Sequence, residues 1–129
     1  MCTICGHFAM EGDIPSTDIY DMLKKMEHRG PDSHGVCLDG CIHQAVTVDQ
    51  MRGTLQTPAQ IALGHSRLSI VGQEKTSQPF TSCDGVLSLI HNGEIYNYQK
   101  LRSLLYRRHQ IKTTSDSEVI VHLLEEVYQ

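Results

Sequence analysis

The chain has 129 residues, 40% of them hydrophobic and 20% charged, with a formal net charge of −4. That length suits one domain or part of one, and the composition is that of a folded globular protein, not a disordered one. The acidic balance argues against a nucleic-acid binder held by phosphate contacts, and no apolar run approaches the roughly 20 residues of a membrane-spanning helix.

Residues 3–10 are predicted as a first strand, with Ile4, Phe8 and Met10 on one face and Thr3, Cys5, His7 and Ala9 on the other. After the turn at Glu11-Gly12-Asp13, Ser16 or Thr17 can cap a helix running to about His28. Ile19, Met22, Leu23 and Met26 fall at the spacing of one buried face, and Gly30-Pro31 stops the helix. Val36 to Leu38 and Cys41 to Val48 form a hairpin around Asp39-Gly40. Residues 49–58 are polar and are read mainly as loop. Ile61 to Leu63 and Leu68 to Val71 read as strands, and Asp84-Gly85 signals a second hairpin leading into Val86 to His91. Asn97 can cap a helix with Tyr98, Leu101, Leu104 and Leu105 inward. Ser115-Asp116-Ser117-Glu118 reads as a capping box opening a last helix, with Ile120, Leu123, Leu124 and Val127 at helical spacing. The order implies an α+β fold with helices on a mostly antiparallel sheet.

No basic segment followed by an apolar core stands at the start, so no secretory signal is expected and the location is read as cytoplasmic. The five cysteines, an odd number, are then expected as reduced thiols. Cys2 with Cys5 and Cys37 with Cys41 have spacings that zinc knuckles could use. The Asp39-Gly40 turn instead reads Cys37 and Cys41 as small hydrophobes on adjacent strands. No metal ligand is assigned, and a small cysteine-ligated zinc module stands as an alternative. His7, His43, His65 and His122 show no paired ligand spacing and are read as structural, and Arg107-Arg108-His109 as the basic end of a helix.

Cys2 is the first candidate for chemistry. Removal of Met1 would make it N-terminal, with an α-amine of pKa about 8 beside a thiol of about 8.5, so one residue would supply nucleophile and base. Four more segments stand in register with it: His28-Arg29-Gly30-Pro31-Asp32, Gly64-His65-Ser66-Arg67-Leu68-Ser69-Ile70, Asn92-Gly93-Glu94-Ile95-Tyr96-Asn97 and Ser115-Asp116-Ser117-Glu118-Val119. Together they resemble the glutaminase domain of class II, N-terminal-nucleophile glutamine amidotransferases. The Arg-Gly-Pro-Asp form points to the asparagine synthetase branch, since the glucosamine-6-phosphate synthase branch reads Arg-Gly-Tyr-Asp-Ser there.

The resemblance implies that Cys2 attacks the glutamine carboxamide, and that the Asn92 side chain and the Gly93 N–H hold the tetrahedral oxyanion. It implies that Arg67 pairs with the glutamine α-carboxylate, that Glu94 and Asp116 lie near the α-ammonium, and that Leu68 and Ile70 help bind the substrate. Each also has a plainer reading. Arg67 could be a structural ion pair, Asp116 suits a helix start, and Asn92-Gly93 alone signals a turn. Arg29 and Asp32 are read as bracing the backbone.

The resemblance also implies a partial αββα sandwich, about two-thirds of the domain. Residues 1–129 are read as one type 2 glutamine amidotransferase domain, incomplete at its C-terminus. The family's Gly-x-Phe-Ala-Phe-Ala and Arg-Asp-x-x-Gly segments and the Ser-Gly-Gly-x-Asp-Ser motif of the synthetase domain do not occur here. No cofactor is expected in this domain, ATP and magnesium being implied only for a synthetase domain. The expected partners are L-glutamine and a synthetase domain or subunit that accepts ammonia, with no nucleic acid and no membrane, and homodimerisation left open. A non-catalytic or partner-completed fragment is the alternative.

Overall fold

A computed structural model of the protein describes residues 2–69 and 76–128. The elements in chain order are β1 (Thr3–Phe8), α1 (Ser16–Met26), β2 (Ser33–Leu38), β3 (Cys41–Ala45), α2 (Val48–Thr54), β4 (Ile61–Arg67), β5 (Phe80–Thr81), β6 (Ser88–Leu89), α3 (Tyr98–Leu105) and α4 (Glu118–Tyr128), with one 3-10 turn at Glu27–Arg29 after α1. The result is a mixed α/β fold with antiparallel sheets, one of four strands in the order β1-β4-β2-β3 and one made of β5 and β6.

Side chains alternate across the four-stranded sheet, so its register decides what meets the helices. Thr3 faces Ser66, Cys5 faces Gly64, Val36 faces Gly64 and Leu38 faces Ala62. This side packs on α1 and α2 around a core of Ile19, Leu23, Val36, Leu38, Val48, Met51, Leu55 and Ala62. Gly64 permits the close approach: a Cβ there would sit 2.7 Å from the Cys5 Sγ and 3.2 Å from the Ile19 and Leu23 side chains. The opposite side of β1 carries Ile4 and Phe8, both exposed, and Met10 beyond the strand end is exposed too. The apolar set of β1 therefore faces away from α1.

The expected hairpin at Asp39-Gly40 forms, with both turn residues at positive φ (45° and 88°), as a type I′ turn requires. It ends at Ala45, and Val48 opens a helix instead of closing a strand. Residues 49–58, expected as loop, thus contain most of α2. A capping box nucleates it: the Gln50 N–H donates to the Thr47 hydroxyl and the Gln50 side chain accepts from the Thr47 N–H. Val48, Met51 and Leu55 then bury one face. Ser16 does not cap α1. Pro15 occupies the N-cap, and the buried Ser16 hydroxyl donates to the Leu55 carbonyl at 2.6 Å. The strand expected at Ile61 to Leu63 runs on to Arg67 as β4, because its backbone pairs with β1 on one side and β2 on the other. Leu68 lies past its end, and Ile70 and Val71 lie outside the described residues.

The cysteine pairs do not assemble a four-thiolate site. Cys37 sits opposite Ile42 and Cys41 opposite Leu38, so they occupy opposite faces, Cys37 buried and Cys41 exposed. Burial pushes the Cys5 thiol up to about 11, against a weaker downward pull from its hydrogen bond with the Gly64 backbone, so it stays protonated.

The remaining face of the sheet is partly covered by residues 78–91. Gly35 makes room for this: a Cβ there would lie 1.7 Å from the Gln78 carbonyl oxygen. The short β5–β6 hairpin packs on α4, and α3 packs on α4. Two expected helix faces are corrected here. In α3, Leu105 is buried but Leu104 is 68% exposed. In α4 the buried positions are Glu118, Val119, Val121, His122 and Glu125, while Val127 is 77% exposed. The Glu118 carboxylate does not complete a box with Ser115. It accepts the Lys112 and Thr113 N–H groups, each at 2.7 Å, and the Thr113 hydroxyl. Among the described residues no helix is long and apolar enough to cross a membrane.

Candidate active site

The site forms where three chain segments end together. Pairing of Thr3 with Ser66 brings Cys2 beside the end of β4, and the Cys2 Sγ lies 3.9 Å from the Leu68 carbonyl oxygen. Asp32 braces that end: its N–H donates to the Arg67 carbonyl at 2.9 Å and its carboxylate accepts from the Ser69 N–H. The Arg67 guanidinium is half of a tether, donating through Nη1 to the Thr76 carbonyl at 2.6 Å.

The second segment is the chain leaving β6. The Gln78 side chain grips the His91 backbone from both sides, accepting its N–H at 2.6 Å and donating to its carbonyl at 3.0 Å. This holds Asn92-Gly93 at the mouth of the cleft. The third segment precedes α4. An Asp116 carboxylate oxygen accepts the Ile95 N–H at 2.6 Å, and the Ser117 hydroxyl meets His91 Nδ1 at 2.9 Å. The loop carrying Asn92, Gly93 and Glu94 is thereby tied to the start of the last helix.

Cys2, Arg67, Leu68, Asn92, Gly93, Glu94 and Asp116 all line one cleft of about 950 Å³. Ile70, the remaining expected substrate residue, lies outside the described residues. The lining also includes His65, Thr76, Gln78, His91, Ser115 and Ser117, none of which the sequence singles out as a site residue. Gln78 carries no sequence signal for its role, because the His91 backbone it holds is 13 residues away. His91 directly precedes one motif and Ser117 lies inside another, which is the one clue to them.

His65 is buried on β4 under this segment. Burial first, then the charges of Arg67 and His34, push its imidazole down to about 4, so it is neutral near pH 7. Among the described residues the cleft offers one guanidinium, Arg67, two carboxylates, Glu94 and Asp116, and the Cys2 thiol. That set complements a zwitterionic amino acid and places a nucleophile within the same cavity. Among the described residues, the side chains close enough to share a metal ion gather elsewhere, around Cys83, and none of these lines the cleft.

The chain is similar to known proteins over nearly its whole length. The sequence is 37% identical over 127 residues to the "Putative asparagine synthetase (glutamine-hydrolyzing) 1" of Methanocaldococcus jannaschii, covering 98% of this chain and 23% of that protein. It is 37% identical over 138 residues to the glutamine–fructose-6-phosphate aminotransferase (isomerizing) of Pyrococcus horikoshii, with 98% and 23% covered. It is 33% identical over 129 residues to asparagine synthetase (glutamine-hydrolyzing) 3 of Arabidopsis thaliana, with 95% and 19% covered. The chain therefore spans about a fifth of the length of these relatives. The family described as "Glutamine amidotransferase domain" matches residues 47–128, which include Arg67, Leu68, Asn92, Gly93, Glu94 and Asp116. With well over half of its length matched, and every cleft residue but Cys2 inside the match, the chain belongs to the glutamine amidotransferase domain family.

Proposed function

We propose that the chain is the glutaminase part of a glutamine-dependent amidotransferase resembling asparagine synthetase. It hydrolyses glutamine to glutamate and ammonia and supplies ammonia to a synthetase site on another domain or subunit. The observation that carries this reading is the convergence of Cys2, Arg67, Asn92, Gly93, Glu94 and Asp116 on one cleft from three separate segments.

After removal of Met1, the Cys2 α-amine takes the thiol proton and the thiolate attacks the side-chain carboxamide of glutamine. The Asn92 amide and the Gly93 N–H donate to the oxyanion, each worth about 3 kcal/mol in the transition state. The amine returns the proton to the leaving nitrogen, ammonia departs, and water then hydrolyses the Cys2 thioester. Arg67 pairs with the α-carboxylate, which a planar guanidinium does bidentately. Asp116 accepts the Ile95 N–H and, at 3.3 Å, the Ser117 hydroxyl, and still keeps lone pairs for the α-ammonium, as Glu94 does. Leu68 helps bind the substrate, and Ile70 is assigned the same role from its motif alone. The domain itself uses no cofactor, and its location is cytoplasmic.

The fold is read as part of an αββα sandwich. The placement of α1 and α2 on the four-stranded sheet, and of α4 on β5 and β6, supports that layering. A partner-completed domain is the second reading, and the exposed Ile4, Phe8 and Ile61 on the outer face of the sheet favour it.

Hydroxylamine tests the chemistry directly, because it intercepts a γ-glutamyl thioester as γ-glutamyl hydroxamate and frees Cys2. The expected outcome is glutamine-dependent hydroxamate and ammonia, both lost in Cys2→Ala, with kcat lowered by about 10²–10³ in Asn92→Ala. Full activity in Cys2→Ala contradicts the mechanism.

A further inference from the structure

We propose that Cys83, His109, His122 and Glu125 form a tetrahedral zinc site that staples the β5–β6 turn to the last two helices. Cys83 lies in the turn, His109 just after α3, and His122 and Glu125 one helical turn apart on α4. One atom from each lies within 4.8 Å of the others. The Cys83 Sγ is 3.8 Å from Nδ1 of both His109 and His122, and a Glu125 Oε lies 3.0 and 3.1 Å from the same two nitrogens. A tetrahedral zinc with bonds of about 2.0–2.3 Å sets its ligands about 3.3–3.6 Å apart, inside that spread.

Proton placement argues for the metal. His109 Nε2 is 2.8 Å from a Glu126 oxygen, so that nitrogen carries a hydrogen. A neutral His109 then directs the bare lone pair of Nδ1 at the Glu125 carboxylate. His122 has the same conflict in the other sense. If its Nδ1 donates to Glu125, its buried Nε2, which has no hydrogen-bond partner, turns a lone pair toward the Glu118 carboxylate 3.8 Å away. Both conflicts sit in one pocket, with ring centroids 5.2 Å apart and His109, His122 and Glu125 only 9%, 1% and 3% exposed. A cation bound by both Nδ1 atoms relieves both at once. The Nε2–H groups then point at Glu126 and Glu118, the carboxylate–histidine–metal arrangement that orients ligating rings.

The other two ligands are also prepared. The Gln110 N–H donates to the Cys83 sulfur at 3.3 Å. The Cys83 N–H donates to both Glu125 oxygens, at 3.1 and 3.2 Å. One thiolate, two imidazoles and one carboxylate in four positions is a zinc donor set, and with no open position the site is structural. Cys83 is exposed, which leaves a path for the ion. The site pins the layer from which Asn92, Gly93 and Asp116 reach the cleft, but it touches no residue of the proposed chemistry.

The test is metal content and melting of the full chain, purified with zinc and dialysed into metal-free buffer. One zinc per chain is expected, with a melting temperature on the order of 10 °C above that of the metal-free protein when free zinc is about a hundredfold above Kd. Cys83→Ser and His122→Gln lose stoichiometric zinc. Metal-free Cys83→Ser melts with the metal-free wild type, which separates lost ligation from lost folding. Cobalt in place of zinc shows a sulfur-to-metal charge-transfer band that Cys83→Ser lacks. Cys83→Asp, which restores an anionic ligand, regains zinc without that band. Substoichiometric zinc in the wild type overturns the proposal. So does zinc that persists in Cys83→Ser and leaves with Cys41→Ser or Cys2→Ala, whatever the glutaminase activity of these proteins.

Discussion

The two sides of this molecule are held by different physics. Between α1, α2 and the four-stranded sheet lies an apolar core in which Ile19, Leu23, Val48 and Met51 are essentially inaccessible to solvent. Between α3, α4 and the β5–β6 hairpin the inaccessible groups include Glu118, His122, Glu125, His109 and Ser117. The first side is non-directional and depends on volume. The second depends on donors and acceptors meeting in fixed geometry, and leaving one unmet costs about 1–3 kcal/mol. The cleft lies where the two sides meet, with Cys2 and Arg67 supplied by the sheet and Asn92, Gly93 and Asp116 by the polar side.

The largest expected break is on the apolar side. Leu23→Ala removes a side chain that is 0% exposed and costs about 2–5 kcal/mol in urea unfolding, equally with and without added zinc. Acid probes the boundary next. The His65 imidazole falls from its ordinary 6.5 to about 4, so between those values the unfolded chain binds more protons than the folded one. Stability is fully present above pH 6.5 and declines by about 3 kcal/mol as pH falls to 4. The charges of Arg67, His34 and His91 all disfavour its protonation, while the hydrogen bond with the His91 backbone works the other way. His65→Gln flattens that arm of the urea-midpoint profile. The smallest effect is on the polar side: Glu118→Gln weakens the acceptor for two N–H groups and a hydroxyl. It costs about 2 kcal/mol and, unlike Leu23→Ala, also lowers zinc affinity, because Glu118 faces the His122 ring.

Legibility in the sequence follows the same division. The α1 face is read correctly at Ile19 and Leu23, and the Asp39-Gly40 turn forms where the residue types demand positive φ. Short α2 is missed because its surface is polar, although Thr47 and Gln50 announce its capping box and Val48, Met51 and Leu55 its buried face. On α4 apolar periodicity points to Leu124 and Val127, both exposed, while the helix buries a Glu118–His122–Glu125 stripe. Hydropathy cannot register a polar residue whose partners come from distant segments. The histidines read as structural include His122, which that stripe brings to Cys83 and His109. The cleft residues carried by motifs are legible as a set. Gln78 and His65 are not, since their importance lies in what the fold packs against them.

Labelling with a glutamine-like diazo-ketone tests the central claim most directly. In the folded chain from which Met1 has been removed, the account predicts one added mass, on Cys2 alone, prevented by excess glutamine, with the exposed thiols of Cys41 and Cys83 unmodified. An unlabelled Cys2 in that sample, or labelling of Cys41 at the same rate, would contradict it.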